Sequence, residues 1–295
     1  MKIKQAIKKF YNNQAEKFSQ TRNKHWPEFN YIFKEIEKLL TQKDKIKILD
    51  LWCGDWRLYW FLAENFSNRI DYVGVDISEK LIQIAIKKYK WKIILITPDN
   101  LYLKSISKNN NIICDKVKKC KRNNQDNLWL SLNNNYPLFI VSDMLDYLEN
   151  IDPETFDFVV SVASFQHIPT NWERLLILKH IYRVLKYNWK IMMFNWSFSE
   201  WFFKKYKWQI LKSFILWILS LGSKHINDIM VPWKDKNKIF YRYYHIFFLF
   251  ELKKLFKQAW FVIKEICYIN RRWEKTVSRI DSRNSCVIWV KNIVR

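Results

Sequence analysis

The 295-residue sequence contains very little glycine. An average chain of this length carries roughly 20 glycines, whereas only Gly54, Gly74 and Gly222 are present. Tryptophan, normally the rarest residue, occurs 16 times. Since backbone turns with positive φ normally use glycine, we interpret several tryptophans as glycines of the natural protein, encoded by UGA codons and translated under the wrong genetic code. A genuinely tryptophan-rich sequence is the alternative.

The sequence also lacks a long apolar run, a secretion signal and a paired-cysteine pattern. No apolar run reaches the ~18 residues of a membrane span, and MKIKQAIKKF has neither an apolar core nor a cleavage site. The cysteines lack CxxC spacing, which favours reduced thiols over disulfides or a zinc site. They are Cys53, Cys114, Cys120, Cys267 and Cys286. We therefore expect a cytoplasmic protein with no bound metal and no stable membrane insertion.

Positive charge is in excess, since 51 lysines and arginines outnumber 28 acids and give a net charge of +23. Such a balance favours a polyanionic partner such as RNA, whose phosphates attract lysine and arginine. The abundance of lysine, asparagine and isoleucine, all with AT-rich codons, offers base composition as the other explanation. The charge alone leaves both open.

The pattern of apolar residues predicts an α/β fold with a doubly wound, mostly parallel sheet. The run IKILDLW is continuously apolar, as in strands buried on both faces, and DYVGVD (71–76) resembles it. A helix over 57–66 separates them, and Ser78 is placed to cap the next helix. Further strands are predicted at 137–144, 156–165 and 190–196, with a helix over 172–186. The chain then ends in a helix at 251–259 and an antiparallel hairpin of strands 261–269 and 285–292.

We expect residues 1–295 to form one domain with three additions. A helical segment covers 1–45, and a low-complexity insertion rich in asparagine and lysine, predicted to be a surface loop, covers about 90–136. A lid or substrate segment covers about 197–248. Its apolar stretch at 199–222 is interrupted by lysines, which favours a lid or core helix over contact with a membrane surface.

One motif carries the cofactor chemistry. The sequence ILDLWCGDWRL places Asp50 at the end of a strand and before a tight turn, and Asp76 ends the next strand 22 residues after Gly54. An acid there accepts hydrogen bonds from ribose hydroxyls. The segment resembles the DxGxGxG loop of class I S-adenosylmethionine (SAM)-dependent methyltransferases (methyltransferase type 11), with Trp52 and Trp56 at two of its glycine positions. The resemblance implies a seven-stranded Rossmann-like sheet and SAM as cofactor.

Two more tryptophans stand where this superfamily has glycine. LKYNWK resembles LKPGGK and places Trp189 at a glycine, while KQAWFVIKE resembles KKAGFxxxE and places Trp260 after a helix. We predict UGA codons at these four positions. We predict UGG codons where the family pattern itself has tryptophan, at Trp26, Trp196 and Trp233.

The resemblance also implies further cofactor contacts. Asp143 in SDMLD matches the acid that binds the adenine amino group, and Met144 lies beside the ring in the family pattern. Ile77 follows the ribose-binding acid. Ser161 matches the strand end under the methionine part of the cofactor. Each of these residues has a plainer interpretation as core or as a strand-end cap.

Three stretches resemble the tRNA wobble-uridine carboxymethyl methyltransferases, which form a methyl ester on a carboxymethyl group. They are AEKFSQTRNKHWPEF (15–29), SVASFQHIPTNWERL and VPWKDKNKIFYRYYHIF (231–247). Gln166 replaces the first histidine of the family's SIAxxHHxxxxxERR. The resemblance implies tRNA as partner. Eukaryotic relatives also need a small activating subunit, and the sequence leaves open whether this chain does.

A carboxylate is already an anionic nucleophile, so its methylation requires positioning more than a base. A cation that orients the carboxylate is the main requirement, preferably arginine with its bidentate fork. The candidates are Arg22, Arg242, His167 and His245, with Tyr243 and Tyr244 as stacking platforms for an extruded base. Two other functions stay open: methylation of a small molecule, and an inactive RNA- or partner-binding scaffold if the motif tryptophans are genuine.

Overall fold

A computed structural model describes residues 2–22, 25–89, 93–97, 100–106, 112–116, 137–221 and 225–291. Its helices are α1 (Lys2–Asn13), α2 (Ala15–Gln20), α3 (Glu28–Leu40), α4 (Arg57–Phe66), α5 (Glu79–Tyr89), α6 (Met144–Glu149), α7 (Asn171–Val184), α8 (Glu200–Leu219) and α9 (Leu249–Gln258). Its strands are β1 (Ile46–Leu51), β2 (Ile70–Asp76), β3 (Ile93–Thr97), β4 (Asn100–Ile106), β5 (Ile112–Lys116), β6 (Leu138–Val141), β7 (Phe156–Val162), β8 (Leu185–Trp196), β9 (Asp228–Asp235), β10 (Lys238–His245), β11 (Val262–Asn270), β12 (Lys275–Thr276) and β13 (Ser282–Val290).

The chain divides into two compact units. Unit 1 comprises Met1–Phe10, Ser161–Tyr182 and Tyr187–Arg295, and unit 2 comprises Tyr11–Val160 and Arg183–Lys186.

Unit 2 is built on a sheet in the order β7-β1-β2-β6-β3-β4-β5. The first five of these strands run parallel to their neighbours, and β4 and β5 are antiparallel additions. Ile48, Leu49 and Leu51 of β1 are fully buried, as expected for a strand covered on both faces. Parallel strands end at one edge of a sheet, so the residues after β1 and β2 are brought together there.

Unit 1 holds antiparallel strands in the order β12-β11-β13-β8 and a separate β9–β10 hairpin. The hairpin pairs Arg242 with Val231 and His245 with Asp228. Helix α8 buries Phe202, Tyr206 and Ser213 and leaves most of its second half exposed. No helix in the described residues is long and apolar enough to cross a bilayer.

The predicted α/β fold, with a large mostly parallel sheet and antiparallel strands toward the C-terminus, is confirmed. The closing hairpin, β11 with β13, is confirmed too, and the N-terminal segment contains α1, α2 and α3. The number of strands exceeds the predicted seven, partly because β3, β4 and β5 lie in the segment predicted to be a loop. The rest of that insertion lies outside the described residues. The β9–β10 hairpin was not predicted, and α8 is not a core helix, because its outer face has no covering element within unit 1.

Candidate functional site

The loop between β1 and α4 is fastened to the end of β2 by the carboxylate of Asp76. Its Oδ2 accepts a hydrogen bond from the backbone N–H of Gly54 at 2.8 Å, and its Oδ1 accepts one from the backbone N–H of Ser78 at 2.7 Å. The backbone N–H of Trp52 donates to the carbonyl of Val75 at 2.7 Å. The acid therefore lies directly beside the loop, as the 22-residue spacing predicts.

Burial shifts the pKa of two acids next to this loop, Asp50 in β1 and Asp76 at the end of β2. It raises the pKa of Asp50 to about 7, and the hydroxyl of Tyr72 donates a hydrogen bond to this carboxylate. Burial also raises the pKa of Asp76 to about 6, from about 4 in an exposed aspartate. At neutral pH Asp76 is mainly ionised, so its carboxylate can accept hydrogen bonds from hydroxyl groups.

Alternate residues of the loop adopt the left-handed conformation that favours glycine. The φ angles are 65° at Trp52, 60° at Gly54 and 65° at Trp56, and an L-residue costs about 1–2 kcal/mol there. Trp56 is 1% exposed and its ring stacks on Phe139 with centroids only 3.3 Å apart, closer than the 4.5–7 Å that aromatic pairs prefer. Its indole N–H has no hydrogen-bond partner among the described residues. Backbone and packing at Trp56 therefore both favour glycine.

Two more tryptophans have a left-handed backbone. One stands at a position predicted to be glycine, and the other was not predicted. Trp260 directly follows the end of α9 and has a φ of 67°. Its backbone N–H donates a hydrogen bond to the carbonyl of Lys257. The backbone N–H of Phe261 donates one to the carbonyl of Phe256. These two bonds form the helix-ending motif that normally carries glycine at the Trp260 position. Trp273 also has a φ of 67°, which the sequence did not indicate.

Trp189 does not follow the same rule. In LKYNWK the positive φ, 64°, belongs to Asn188 and not to Trp189. Asparagine tolerates this conformation better than most residues. The backbone therefore supports glycine at three of the four predicted positions, and the structural argument does not extend to Trp189.

The loop fits an adenosyl ligand. A Cβ added at Gly54 would meet no atom within 4 Å, so the backbone there is open to a close approach. The Trp56 ring is turned into the interior against Phe139. With Asp76 ionised beside Gly54, an open glycine backbone and a ribose acceptor lie at the ends of the first two strands.

The remaining predicted cofactor residues occupy varied environments. Ile77 is buried directly after β2, and Met144 is fully buried at the start of α6. The Asp143 carboxylate caps α6, accepting a hydrogen bond from the backbone N–H of Leu145 at 3.0 Å. Ser161, in unit 1, is buried with its Oγ 2.5 Å from Oγ of Ser164. For Met144 the structure shows core packing, and for Asp143 it shows a helix cap.

Unit 1 assembles a polar network around Asp228. The Asp228 carboxylate accepts hydrogen bonds from the hydroxyl of Tyr243 at 2.6 Å and from Nδ1 of His245 at 2.7 Å. The hydroxyl of Tyr243 in turn lies 3.1 Å from Nη2 of the fully buried Arg174. His245 Nε2 lies 3.6 Å from Glu251. Since its ring contacts both Asp228 and Glu251, His245 connects the hairpin to α9.

His167 is brought close to the same hairpin as a neutral ring. Its Nδ1 lies 2.9 Å from the carbonyl oxygen of Tyr243. Burial lowers the pKa of His167 to about 3, opposed by this hydrogen bond and reinforced by the charge of Arg242. At neutral pH the ring carries no charge, so Nδ1–H donates to the carbonyl and Nε2 is an acceptor. It cannot orient a carboxylate as a cation.

Arg242 is the one predicted cation of unit 1 that lies in an aromatic enclosure. Its guanidinium carbon is 5.2 Å from the ring centroid of Phe10, 4.9 Å from that of Trp233 and 5.1 Å from that of Tyr244. We call Arg242 with these three rings the aromatic cage. The arginine is 4% exposed, and guanidinium remains protonated even when buried. The cage therefore keeps a positive charge largely away from water.

Two other predictions about side-chain roles are not supported by the packing. Tyr243 and Tyr244 are buried in the network and the cage, so neither presents an open face for base stacking. Arg22, in unit 2, lies over Phe18 at 3.7 Å and donates to the hydroxyl of Thr21. These contacts stabilise its own helical segment, and they do not bring it to the loop after β1.

Sequence reasoning missed the residues that organise this network, Arg174 and Asp228. Arg174 donates to the carbonyls of Ile168 and Pro169 and to Asn171. A signal was present, because Arg174 belongs to the WERL stretch that resembles the family's ERR.

Comparison with known proteins identifies the fold's class. The family described as Methyltransferase domain matches residues 24–262, most of the chain. No curated protein matches. Among solved structures, a SAM-dependent methyltransferase from Methanosarcina mazei is 18% identical with a TM-score of 0.54, covering 85% of this chain and 94% of the other.

Two further structures share the fold. One comes from the complex between the Haloferax volcanii Trm112 methyltransferase activator and a protein classed as a methyltransferase (12% identity, TM-score 0.53, covering 98% of this chain and 99% of that one). The other is magnesium protoporphyrin IX methyltransferase from Synechocystis PCC 6803 with bound SAH. It is 12% identical with a TM-score of 0.53, and the match covers 98% of this chain and 100% of the other.

The chain therefore belongs to the methyltransferase domain family. Its fold is shared with solved SAM-dependent methyltransferases.

Proposed function

We propose that this enzyme methylates a carboxylate oxygen, and that its acceptor is 5-carboxymethyluridine at the wobble position of tRNA. The observation that carries the proposal is Arg242, a buried guanidinium enclosed by three aromatic rings. A guanidinium offers two parallel N–H donors that match the two oxygens of a carboxylate. Of the four predicted cations, it is the one whose charge and burial best suit this task.

The cage residues orient the acceptor, and they need not remove a proton. A carboxylate is ionised at neutral pH, so its oxygen is nucleophilic as bound. The low exposure of Arg242 strengthens its attraction for the acceptor, since fewer waters screen the charge. When bound, SAM supplies the electrophilic methyl group and leaves as S-adenosylhomocysteine. Asp76 and the open backbone of Gly54 would hold its adenosyl part.

The tRNA acceptor rests on sequence and on charge. The stretches at 15–29 and 231–247 resemble the wobble-uridine branch, and Arg242 lies within the second. A net charge of +23 favours binding to phosphates, with an affinity that falls as salt rises. A small activating subunit is part of the same proposal, because it follows from the same resemblance.

The test uses natively expressed protein, labelled SAM and three acceptors. These are an anticodon stem-loop with 5-carboxymethyluridine, the same stem-loop with unmodified uridine, and a panel of small carboxylic acids. We expect label only in the first, released by mild alkali as an ester and reduced at high salt.

Each alternative gives a different result. Label in small acids alone would exclude tRNA and favour a small-molecule methyltransferase. SAM binding without label in any carboxylate would exclude carboxylate methylation. Absence of SAM binding by calorimetry would favour the inactive scaffold.

A further inference from the structure

Helix α8 presents an apolar surface that unit 1 leaves uncovered. We call the tip of α8 the exposed side chains of Leu211, Phe214, Ile215, Ile218, Leu219 and Leu221. Leu219 is 75% exposed and Leu221 97%. Patches of this kind on a folded protein mark contacts with a partner or a membrane.

Beyond the buried Ser213, the last turn of α8 is exposed around the whole helix and not along one stripe. Residues 214–219 are six consecutive exposed positions, and six residues exceed one helical turn. A groove in a protein partner, or a second copy of this chain, contacts mainly one face of a helix. A fluid hydrocarbon layer surrounds all faces at once, so the pattern favours lipid as the occupant.

The first half of α8 supplies the matching charge. It carries Lys204, Lys205 and Lys207 against one acid, Glu200, whose carboxylate contacts Lys204 at 2.5 Å. The ammonium of Lys205 lies 4.6 Å from the centroid of the Trp201 ring. Lysines beside an apolar surface lie at the level of lipid headgroups and attract anionic lipids.

The helix is held firmly enough to act as an anchor. The hydroxyl of Ser213 lies 2.9 Å from the carbonyl of Ile226 and 2.8 Å from that of Asp228. Phe202 and Tyr206 pack in a buried cluster with Ile229 and Tyr244. The tip therefore projects from a fixed base.

We propose that α8 binds the surface of an anionic lipid bilayer, with the tip among the acyl chains and the lysines at the headgroups. From Leu211 to Leu219, the last residue of α8, the helical rise is about 12 Å, less than half of a ~30 Å hydrocarbon core. The tip thus enters one leaflet without spanning the bilayer. None of the six side chains of the tip is a tryptophan, so these side chains are the same whether tryptophan or glycine occupies positions 201, 208 and 217.

The experiment is co-sedimentation of the full chain with vesicles of phosphatidylcholine alone or with 30% phosphatidylglycerol, at about 0.1 M and 0.5 M NaCl. The test variant is Ile215→Gln/Leu219→Gln, which changes neither charge nor a buried contact. The control is Ile239→Gln/Val277→Gln, at two exposed apolar residues outside α8. We expect at least tenfold stronger partitioning to the anionic vesicles, a tenfold loss in the test variant, and no change in the control.

Three outcomes would overturn the proposal. Equal binding of both variants would mean adsorption by net charge alone. Absence of binding to anionic vesicles would exclude a lipid surface. A dimer in sedimentation velocity that the test variant dissociates would assign the tip to a second copy. Thermal unfolding checks that both variants are folded, and none of these readouts depends on SAM or tRNA.

Discussion

Tryptophan is placed differently in two regions of the molecule, the loop after β1 in unit 2 and the aromatic cage in unit 1. In the loop, Trp52 and Trp56 have a backbone conformation that disfavours any side chain with a Cβ. In the cage region, Trp233 lies in β9 with a T-shaped contact to Phe10, and Trp196 lies in β8 against Tyr244. Backbone conformation therefore separates the tryptophans that fit their sites from those that do not.

The wider pattern supports this distinction. Four of the nine non-glycine residues with positive φ in the described part of the chain are tryptophans, although tryptophan is about 5% of the sequence (16 of 295). Positive φ is uncommon for any residue but glycine. The excess is explained if these positions are glycines in the natural protein.

The most decisive prediction concerns the residues themselves. Peptides from natively expressed protein should contain glycine at positions 52, 56, 260 and 273, because these are the left-handed positions. They should contain tryptophan at 26, 196 and 233, where packed rings are needed. Tandem mass spectrometry reads each peptide, and the codons provide the independent check: UGA at the first group and UGG at the second. Tryptophan at 52 and 56 would remove the distinction between the two regions.

The largest change in rate is expected in the cage. Arg242→Leu removes the cation that orients the carboxylate, and we expect a loss of about 100-fold in methyl transfer, typical for a charge-stabilising donor. Arg242→Lys keeps the charge without the bidentate fork and should restore part of the rate. SAM affinity by calorimetry should stay unchanged in both.

The matched control for the cage is Arg279→Leu. Arg279 also lies over an aromatic ring, Phe248 at 5.2 Å, but it is exposed. It should retain the full rate. An equal loss in both variants would show that Arg242 acts only in folding.

A substitution at the loop after β1 should change the affinity for SAM and not the orientation of the methyl acceptor. Asp76→Asn removes the charged acceptor beside Gly54, and charge-assisted hydrogen bonds are worth about 1.5–3 kcal/mol. We therefore expect SAM binding to weaken at least tenfold in isothermal calorimetry. The control is Asp71→Asn. Asp71 lies on the same strand and forms an ion pair with Lys45, and its substitution should leave the SAM affinity unchanged.

Much of unit 2 could be predicted from the sequence because its signals are local. The continuous apolar run of β1 and the spacing of Gly54 and Asp76 located the loop and its anchoring acid. In unit 1 the signals are distant along the chain. Arg174 and Tyr243 meet 69 residues apart, and no pattern in one segment indicates such a contact. The exposure of α8 could not be predicted either, because an apolar helix can have the same composition in a core or on a surface.

The pH dependence of cofactor binding should distinguish the two regions. Because burial raises the pKa of Asp76 to about 6, its carboxylate is charged above that pH and becomes protonated below it. A protonated acid loses the acceptor that a ribose hydroxyl uses, so SAM affinity should fall as pH decreases below about 6. His167, neutral down to about pH 3, adds no titration in this range, whereas Asp50, whose pKa burial raises to about 7, titrates within it. Calorimetry from pH 5 to 8 should show the fall, and Asp76→Asn should remove the part below about pH 6; an unchanged slope in that variant would assign the titration to Asp50 or another group.

The smallest effect is expected for glycine substitutions at two exposed tryptophans, which should change the free energy of unfolding in opposite directions. In protein made with the printed sequence, Trp260→Gly relieves a φ of 67° at a helix end, and we expect a gain of about 1 kcal/mol. Trp208→Gly, at a 69% exposed position inside α8, should cost about 1 kcal/mol because glycine weakens a helix interior. Thermal unfolding would show these as opposite shifts of about 2 °C each. Two losses of equal size would mean that the indole at 260 contributes packing that outweighs its backbone strain, and the left-handed conformation would then no longer identify the misplaced residues.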